Sequence, residues 1–404
     1  MSFLLKRAKL KEVELFVPGS KSESNRLLIL SSLYKNLSLE NISNSDDTNY
    51  LLRALESKLA IIDIGHAGTA MRFLTSYLSL TTNRDVELRG SKRMHNRPIK
   101  ILVESLRKIG ALIEYKENDG YPPILIKPSK LLSKTLLIDS SISSQFISSL
   151  LLIAPKISGG LEINLKGRKT SMPYIDMTVG LLKKIGIEVI STKNHFKVKE
   201  LQNINSINIP VESDWSSASY YYSIVALAET GYSLTLSKYN CKSLQGDSSI
   251  INIYESFGVK TINLDNKLIL KKTECTIDEI SLDLSSNPDL AQTICVTCLG
   301  LNIKCNLKGL HTLKIKETDR LLALKKELSK FNLNVKISND SISFENDGIL
   351  KPDIVIETYD DHRMAMSFAC LVIKTNIIIN NPEVVSKSYK SFWLDLEKIG
   401  VIIE

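Results

Sequence analysis

The chain has 404 residues, of which 43% are apolar and 24% charged, and its formal net charge is +8 at pH 7. This composition indicates a globular protein large enough for two domains, each with its own core. No apolar run reaches membrane-spanning length, which excludes a transmembrane helix. The apolar stretch after Met1 is too short for a secretory signal, so we expect a cytoplasmic protein.

Cysteine and lysine usage narrows the class of protein further. Cys295 and Cys298 form a C-x-x-C pair inside an apolar run, and no second pair at metal-ligand spacing accompanies them. Buried, reduced thiols in a helix explain this pattern better than a zinc or redox site. The basic residues are spread over amphipathic helix patterns, whereas a nucleic-acid binder would show a dense basic stripe with aromatics. A basic protein also suits small, multiply anionic substrates.

The first predicted elements are a strand over residues 13–17 and an apolar helix over residues 27–33. The polar stretch 18–26 lies between them and places Lys21 and Arg26 at a helix start. Free backbone N–H groups and the helix dipole make such a start suitable for a phosphate or carboxylate. Lys21 adds a point charge, and Arg26 can hold an anion through two parallel hydrogen bonds. An ordinary serine N-cap with solvated charges explains this stretch about equally well.

A longer repeat runs through the rest of the chain: an amphipathic helix, a Gly or Asn, a strand, a polar turn and a second strand. The helix ends at Gly110, Gly186, Gly258 and Asn332 are spaced by 76, 72 and 74 residues, and a fifth helix ends at Gly400. Gly and Asn suit a helix C-cap because they tolerate positive φ. A second set of helices, each opened by a polar loop, is predicted at 68–78, 144–153, 216–228, 288–299 and 361–372. The pattern indicates a duplicated βαβαββ unit.

The first copy of this unit is shortened. Its helix, over residues 47–59, leads into only one strand, over residues 60–64, and the hairpin that the other copies carry is missing. Six copies in one chain indicate two domains of three units each. We expect the chain to cross between these domains near residues 210–212.

Polar residues recur at the helix starts of the first half. Gly68 offers a close approach of backbone to a ligand, and Arg97 precedes a proline that can occupy a first helical turn. The remaining candidates are hydroxyls and an amide at two further helix starts: Ser143, Ser144, Gln145 and Ser171. Taken one at a time, each is explained more simply by ordinary N-capping.

The second half differs because acids stand beside bases at its helix starts. Lys316, Glu317 and Arg320 can share one helix face, which alone would indicate a surface ion-pair ladder. Asp289 follows a proline at another helix start, and the sequence Asp-His-Arg-Met-Ala-Met begins at residue 361. Arg363 within it and Lys387 near the C-terminus complete the set of charged candidates. Because copies of a repeat present equivalent junctions, we expect two domains that close on polyanionic substrates.

Nine motifs, in this order along nearly the whole chain, resemble those of the EPSP synthase (3-phosphoshikimate 1-carboxyvinyltransferase) family. They are Pro-Gly-Ser-Lys-Ser-Glu-Ser-Asn-Arg at 18–26, Ala-Gly-Thr-Ala-Met-Arg at 67–72, Arg-Pro-Ile at 97–99, Ser-Ser-Gln-Phe at 143–146, Pro-Tyr-Ile-Asp at 173–176, Asp-Trp-Ser-Ser-Ala-Ser-Tyr at 214–220, Gln-Gly-Asp at 245–247, Lys-Glu-Thr-Asp-Arg at 316–320 and Asp-His-Arg-Met-Ala-Met at 361–366. The resemblance implies transfer of the enolpyruvyl group of phosphoenolpyruvate to the 5-hydroxyl of shikimate 3-phosphate, with release of phosphate. This step belongs to chorismate and aromatic amino acid biosynthesis.

The resemblance also implies an α/β (α+β) fold, an inside-out α/β barrel of the enolpyruvyl transferase type. Its two domains would contain three βαβαββ units each and span residues 19–211 and residues 1–18 plus 212–404, so that the N-terminal strand joins the second half. It implies no metal and no organic cofactor. We expect a monomer that binds neither nucleic acid nor membrane.

Site residues follow from the resemblance, motif by motif. Lys21 would contact both substrates, Asp289 would be the proton acceptor, and either Glu317 or Lys316 would protonate the methylene carbon. The expected shikimate 3-phosphate ligands are Lys21, Ser22, Arg26, Ser143, Ser144, Gln145, Ser171, Asp289 and Lys316, with Thr312 where the family often has Asn. The expected phosphoenolpyruvate ligands are Lys21, Gly68, Arg97, Gln145, Arg320, Arg363 and Lys387.

The chain departs from the family pattern beside the loop that contains Gly68. His66 replaces the usual Asn, and Phe73 replaces the usual Pro. The nearest alternative is the UDP-N-acetylglucosamine 1-carboxyvinyltransferase family, which has Lys-Asn where this chain has Lys21 and Ser22, and usually a cysteine in a first-domain loop. The first cysteine here is Cys241. A non-catalytic polyanion-binding scaffold is a second alternative, but it would not need acids among the bases.

Overall fold

The computed structural model describes residues 1–141, 143–167, 169–345 and 347–404. The chain divides into two compact units. The first unit is Gly19–Val211, and the second unit combines Met1–Pro18 with Glu212–Glu404. The chain therefore passes between the units twice, after Pro18 and after Val211.

The two units are built from the same kinds of element, numbered here in chain order. The helices of the first unit are α1 (Lys21–Leu33), α2 (Asp46–Glu56), α3 (Gly68–Thr81), α4 (Lys100–Lys108), α5 (Ser144–Ile153) and α6 (Met172–Lys184). Those of the second unit are α7 (Trp215–Leu227), α8 (Ile250–Glu255), α9 (Ala291–Leu301), α10 (Arg320–Ser329), α11 (His362–Ala369) and α12 (Phe392–Lys398).

The strands are short and follow the same division. The N-terminal strands β1 (Ser2–Lys6) and β2 (Glu14–Phe16) belong to the second unit. The first unit contains β3 (Leu37–Glu40), β4 (Ile61–Asp63), β5 (Val86–Arg89), β6 (Leu112–Tyr115), β7 (Ile124–Lys127), β8 (Thr135–Asp139), β9 (Leu161–Lys166), β10 (Val189–Ser191), β11 (His195–Val198) and β12 (Ile207–Pro210). The second unit continues with β13 (Ser233–Ser237), β14 (Val259–Leu264), β15 (Lys267–Lys272), β16 (Glu279–Asp283), β17 (Lys304–Lys308), β18 (Lys336–Ile337), β19 (Ile342–Phe344), β20 (Ile354–Ile356), β21 (Ile377–Asn380) and β22 (Ile402–Ile403).

A βαβαββ unit is seen most plainly over residues 279–344. Its elements are β16, α9, β17, α10, β18 and β19, and the strands form a sheet in the order β16-β17-β19-β18. The crossover strands β16 and β17 are parallel, whereas the hairpin strands β18 and β19 are antiparallel. Alternate residues of β17, such as Cys305 and Leu307, are buried beneath the helices, as expected for a sheet with one covered face.

The N-terminal segment completes two sheets of the second unit. Strand β1 pairs antiparallel with β21 and β22, and β2 pairs parallel with β13. Both N-terminal strands are therefore paired with strands of the second half of the chain. In the first unit, β3 and β12 form a two-stranded sheet, and no further strand of the described residues pairs with it. The other sheets have four strands, and in most of them two strands come from a hairpin, such as β18 and β19. The hairpin that the sequence predicts to be missing after α2 accounts for the difference.

The core of each unit contains helices that are buried nearly all round. In the second unit, α7, α9 and α11 are linked through hydroxyls, because Ser219 and Thr293 lie 3.2 Å apart and Thr293 and Ser367 also lie 3.2 Å apart. These three residues are spaced by 74, the period of the repeat. Hydroxyl pairs therefore satisfy the polar groups where three equivalent helices meet inside an apolar core.

The helix ends follow the sequence pattern closely. Gly110, Gly186, Gly258, Asn332 and Gly400 all have positive φ, between 64° and 110°. The buried state predicted for the C-x-x-C cysteines is also confirmed, since both lie in α9 without exposed surface. Among the helices of the described ranges, none is long and apolar enough to cross a membrane.

Candidate active site

The carboxylate of Asp289 is the centre of a charged cluster in the second unit. Asp289 lies in a single 3-10 turn, Pro288–Leu290, that leads into α9. One of its oxygens, Oδ1, accepts a hydrogen bond from Arg320 Nη1 at 2.8 Å and lies 3.5 Å from Lys316 Nζ. The other oxygen, Oδ2, accepts from Arg363 Nη2 at 3.1 Å. Three cations therefore contact the carboxylate of Asp289, a residue that is 9% exposed.

Arg320 is held by three carboxylates from different parts of the chain. Its Nε and Nη2 donate to Asp361 at 2.7 and 3.3 Å, which is a bidentate pair. Nη2 also donates to Glu317 at 2.9 Å. Arg320 is the first residue of α10, whose N-cap is Asp319, and Asp361 is the N-cap of α11. Asp361, the acid that begins α11, thus also fixes the orientation of the Arg320 guanidinium.

Electrostatics keep Asp289 ionised. Burial alone would raise its pKa, but the charges of Arg363, Lys316 and Arg320 outweigh that effect and hold the pKa well below the ordinary value of 3.8. Burial lowers the pKa of Lys316, and the nearby positive charge of Arg320 acts in the same direction, although Asp289 opposes both. Lys316 is therefore a stronger acid than an ordinary lysine.

Lys387 joins the cluster, and Thr312 lies four residues before Lys316 in the chain. Lys387 ends a 3-10 segment, Pro382–Lys387, and its Nζ lies 3.9 Å from Glu317 Oε1. Thr312 is 6% exposed and its Oγ1 has no hydrogen-bond partner among the described residues. The structure thus brings together all the candidates of the second half that carry charge.

In the first unit, Arg97 and Gly68 are in direct contact. A Cβ placed on Gly68 would lie 2.3 Å from Arg97 Nη1 and 2.9 Å from its Cζ. Glycine is therefore needed here because the Arg97 guanidinium occupies the space that a side chain would fill. Arg97 is 9% exposed, and it forms no ion pair with a carboxylate of the described residues. A nearly buried guanidinium without a carboxylate is suited to an anionic ligand.

Gln145 is joined to this group through α3. Its Nε2 donates to Thr69 Oγ1 at 3.2 Å, and Thr69 follows Gly68. Ser143 is the N-cap of α5 and accepts from the Gln145 backbone N–H at 3.3 Å, so the capping interpretation holds for that hydroxyl. Ser144 is the first residue of α5 and is 6% exposed.

The serine at the start of α6 has an unusual backbone. Ser171 has a φ of 53°, and its side chain makes no capping hydrogen bond to the described residues of α6. A left-handed serine is uncommon, and strained residues are found more often at functional sites. Ser171 is 8% exposed, so its side chain is largely enclosed by protein.

Arg26 is more deeply enclosed than the sequence indicated. Its guanidinium, in a residue that is 2% exposed, donates to Thr178 at 2.8 Å, to the Ser22 carbonyl at 2.7 Å, and to Ser148 and the Tyr174 carbonyl at 3.3 and 3.1 Å. These bonds occupy four of its five N–H groups. Burial lowers the pKa of Arg26 to about 10. Its role in organising three helices is visible, and a direct bond to an anion would have to use the remaining N–H.

Lys21 is the first residue of α1, which Ser20 caps by accepting from the Glu23 N–H. Its Nζ lies 3.2 Å from Asp47 Oδ2, an acid at the start of α2 that is 4% exposed. Asp47 was not among the predicted site residues, because nothing local in the sequence links two residues 26 positions apart. Asp361 was a stronger omission, since it adjoins Arg363 in a motif dense in titratable groups.

A second network behind Asp289 was also missed. Ser216 donates to Asp247, and Asn287 donates to the same carboxylate at 3.2 Å. Arg363 Nη2 reaches Ser216 Oγ at 3.4 Å. Ser216 lies in the motif at 214–220 and Asp247 in the motif at 245–247, and neither motif had a predicted role.

Comparison with known proteins identifies the family. The profile of EPSP synthase (3-phosphoshikimate 1-carboxyvinyltransferase) matches residues 52–396. The chain belongs to the EPSP synthase family. A 3-phosphoshikimate 1-carboxyvinyltransferase of Bacteroides fragilis (strain YCH46) is 41% identical over 404 residues, covering 99% of this chain and 98% of its own. One from Buchnera aphidicola subsp. Schizaphis graminum is 36% identical over 417 residues, with 96% of both chains covered.

Solved structures agree at the level of the fold. EPSP synthase from Acinetobacter baumannii superposes with a TM-score of 0.79 at 21% identity, covering 100% of this chain and 99% of that one. The enolpyruvyl transferase NikO from Streptomyces tendae gives a TM-score of 0.75 at 10% identity, with coverages of 100% and 98%. The family assignment made from the nine motifs and the α/β fold class of the enolpyruvyl transferase type are confirmed.

Proposed function

We propose that this chain transfers the enolpyruvyl group of phosphoenolpyruvate to the 5-hydroxyl of shikimate 3-phosphate, giving 5-enolpyruvylshikimate 3-phosphate and phosphate. The relatives that match this chain over nearly their full length are named as this transferase. The observation that carries the proposal is the carboxylate of Asp289 in contact with Arg320, Arg363 and Lys316. A base surrounded by fixed positive charge is what an addition to an anionic enol phosphate requires.

The proposed ligands of phosphoenolpyruvate are mainly basic groups. In the first unit, Arg97 supports this role because it lacks a carboxylate partner among the described residues, while Gly68 makes room for it. In the second unit, the guanidiniums of Arg320 and Arg363 and the ammonium of Lys387 are already oriented by nearby carboxylates. The full proposed set is Lys21, Gly68, Arg97, Gln145, Arg320, Arg363 and Lys387.

The proposed ligands of shikimate 3-phosphate are mainly hydroxyls. Ser144, Ser171 and Thr312 are each less than 10% exposed, and Ser143 retains an acceptor and donor capacity beyond its cap. Asp289 would accept the hydroxyl proton. The full proposed set is Lys21, Ser22, Arg26, Ser143, Ser144, Gln145, Ser171, Asp289, Lys316 and Thr312.

The reaction would proceed by addition and elimination. As the acceptor oxygen bonds to carbon 2 of phosphoenolpyruvate, Asp289 takes the hydroxyl proton and carbon 3 gains a proton, which gives a tetrahedral intermediate. Carbon 3 then loses a proton and phosphate departs. An aspartate whose pKa is well below its usual value is a weak base. Substrate anions that compensate Arg320, Arg363 and Lys316 would raise the pKa of Asp289 and activate it.

We propose Lys316 as the group that protonates carbon 3, because its lowered pKa brings a lysine closer to the range useful for proton donation. Glu317 is the alternative donor. Lys316→Met and Glu317→Gln separate the two, with exchange of the methylene protons of phosphoenolpyruvate as the measurement. We expect Lys316→Met to abolish exchange, whereas exchange lost only in Glu317→Gln would assign the donor to the glutamate.

The function itself is tested by measuring phosphate release from phosphoenolpyruvate with two acceptors. We expect release with shikimate 3-phosphate and none with UDP-N-acetylglucosamine. Release with the nucleotide sugar alone would overturn the proposal in favour of the related transferase. Release with neither acceptor would indicate a binding protein rather than a transferase.

We further propose a cytoplasmic monomer, which predicts a mass of 45.2 kDa by sedimentation.

A further inference from the structure

The chain makes an unusual turn immediately before Asp361. Tyr359 and Asp360 both have left-handed backbones, with φ of 54° and 53°. Residues other than glycine seldom adopt this conformation, and a bulky tyrosine does so least readily. Two in succession remain in place only where the surrounding structure holds them.

The buried carboxylate of Glu327 holds this turn. Glu327 lies in α10 and has no exposed surface. Its Oε1 accepts from the Tyr359 hydroxyl at 2.6 Å, and its Oε2 accepts from the Glu357 backbone N–H at 3.0 Å. Lys330 Nζ lies 2.6 Å from Oε2 and balances the charge. Burial raises the pKa of Tyr359, and the bond to Glu327 adds to this effect, so the hydroxyl keeps its proton and donates.

Helix α10 is therefore attached to the same turn at two places. At the first residue of the helix, Arg320 donates two hydrogen bonds to Asp361. Seven residues later, about two helical turns along α10, Glu327 accepts a hydrogen bond from the Tyr359 hydroxyl. Arg320 alone would leave the turn free to pivot, whereas the bonds that Glu327 accepts from Tyr359 and from the Glu357 backbone N–H fix its direction. Because Asp361 is the N-cap of α11, they also fix Arg363, the second residue of that helix.

We propose that Glu327 and Tyr359 are positioning residues that set the spacing of Arg320 and Arg363 around Asp289. They touch neither substrate, and they act through the turn that carries Asp361. The proposal rests on the proposed function, in which the two arginines bind phosphoenolpyruvate. Loosening the Glu327–Tyr359 contact would weaken binding of phosphoenolpyruvate and leave the hydroxyl ligands of shikimate 3-phosphate in place.

The test is Tyr359→Phe, which removes one hydroxyl and keeps the ring that packs beside Lys326. We expect KM for phosphoenolpyruvate, and its Kd by calorimetry, to rise about tenfold, as for loss of a hydrogen bond to a charged group. KM for shikimate 3-phosphate should stay within about twofold. Tyr232→Phe is the matched control, because Tyr232 donates to the Lys11 carbonyl at 3.1 Å in the same unit, and it should change neither constant.

Glu327→Gln is the second variant and should raise the same KM. Combined with Tyr359→Phe its effect should be less than additive, since the two substitutions share the Tyr359 contact while Glu327→Gln also weakens the contacts with the Glu357 N–H and Lys330. An unchanged KM for phosphoenolpyruvate, or equal rises in both KM values together with lost thermal stability, would overturn the proposal. Calorimetry keeps this result separate from the proposed function. If the wild type bound phosphoenolpyruvate without turnover, the function would fail, and the Kd ratio would still decide the role of Tyr359.

Discussion

Gly68→Ala probes how closely Arg97 is fitted to the start of α3. The new Cβ would lie 2.3 Å from Arg97 Nη1, while ordinary van der Waals contact begins at 3.4 Å. The guanidinium must therefore retreat by roughly 1 Å, a displacement large enough to cost a site up to about a hundredfold in activity. Losing a charge-assisted hydrogen bond costs about 1.5–3 kcal/mol. We expect KM for phosphoenolpyruvate to rise by about 10- to 100-fold.

Stability should hardly change, because the atom displaced is the far end of a flexible side chain. Alanine is a better helix former than glycine by up to about 1 kcal/mol, which offsets part of the strain. The decisive assay is a double-mutant cycle with Arg97→Ala, in which steady-state KM is measured for all four proteins. If Gly68→Ala acts through Arg97, it should add little once that arginine is gone. Full additivity, or an unchanged KM in the single variant, would refute the reasoning.

Three further predictions concern the charged cluster of the second unit. Asp289→Asn should abolish turnover while the far-ultraviolet circular dichroism stays that of the wild type; activity near the wild-type level would remove Asp289 as the base. Because the pKa of Asp289 is lowered, its charge stabilises the fold above about pH 4, and this contribution is lost as the pH falls further. In urea unfolding, Asp289→Asn should therefore cost more free energy at pH 7 than at pH 3, and an equal cost at both would contradict the pKa direction. Dialysis against EDTA should leave turnover unchanged, since lysines and arginines supply the positive charge; loss of activity that Mg²⁺ restores would show a missing metal.

The local features of the fold could be predicted because they depend on local chemistry. Helix C-caps at residues such as Gly186 and Asn332 are required by backbone geometry, and a period near 74 residues indicates duplicated units. The shortened first unit was also predictable, because a hairpin needs residues that the segment before residue 65 does not have. These are statements about a few neighbouring residues at a time.

The contacts between side chains could not be predicted in the same way. Arg26 was expected to present its guanidinium to an anion, but acceptors on α5 and α6 surround it, more than a hundred residues away in sequence. Gly68 was expected to admit a ligand, whereas the group that fills its space is Arg97. The buried pairing of Glu327 with Tyr359 likewise depends on how α10 meets a turn that follows β20. Only packing decides which distant partner a charged group finds.

The most direct test of the proposed reaction is to run it in deuterated water and examine the product by mass spectrometry and proton NMR. Addition followed by elimination passes through a methyl group, so protons at carbon 3 can be replaced before phosphate leaves. We predict an enol ether of shikimate 3-phosphate that carries deuterium in its vinyl group. A product without deuterium in that group, or phosphate release without an enol ether, would contradict the account.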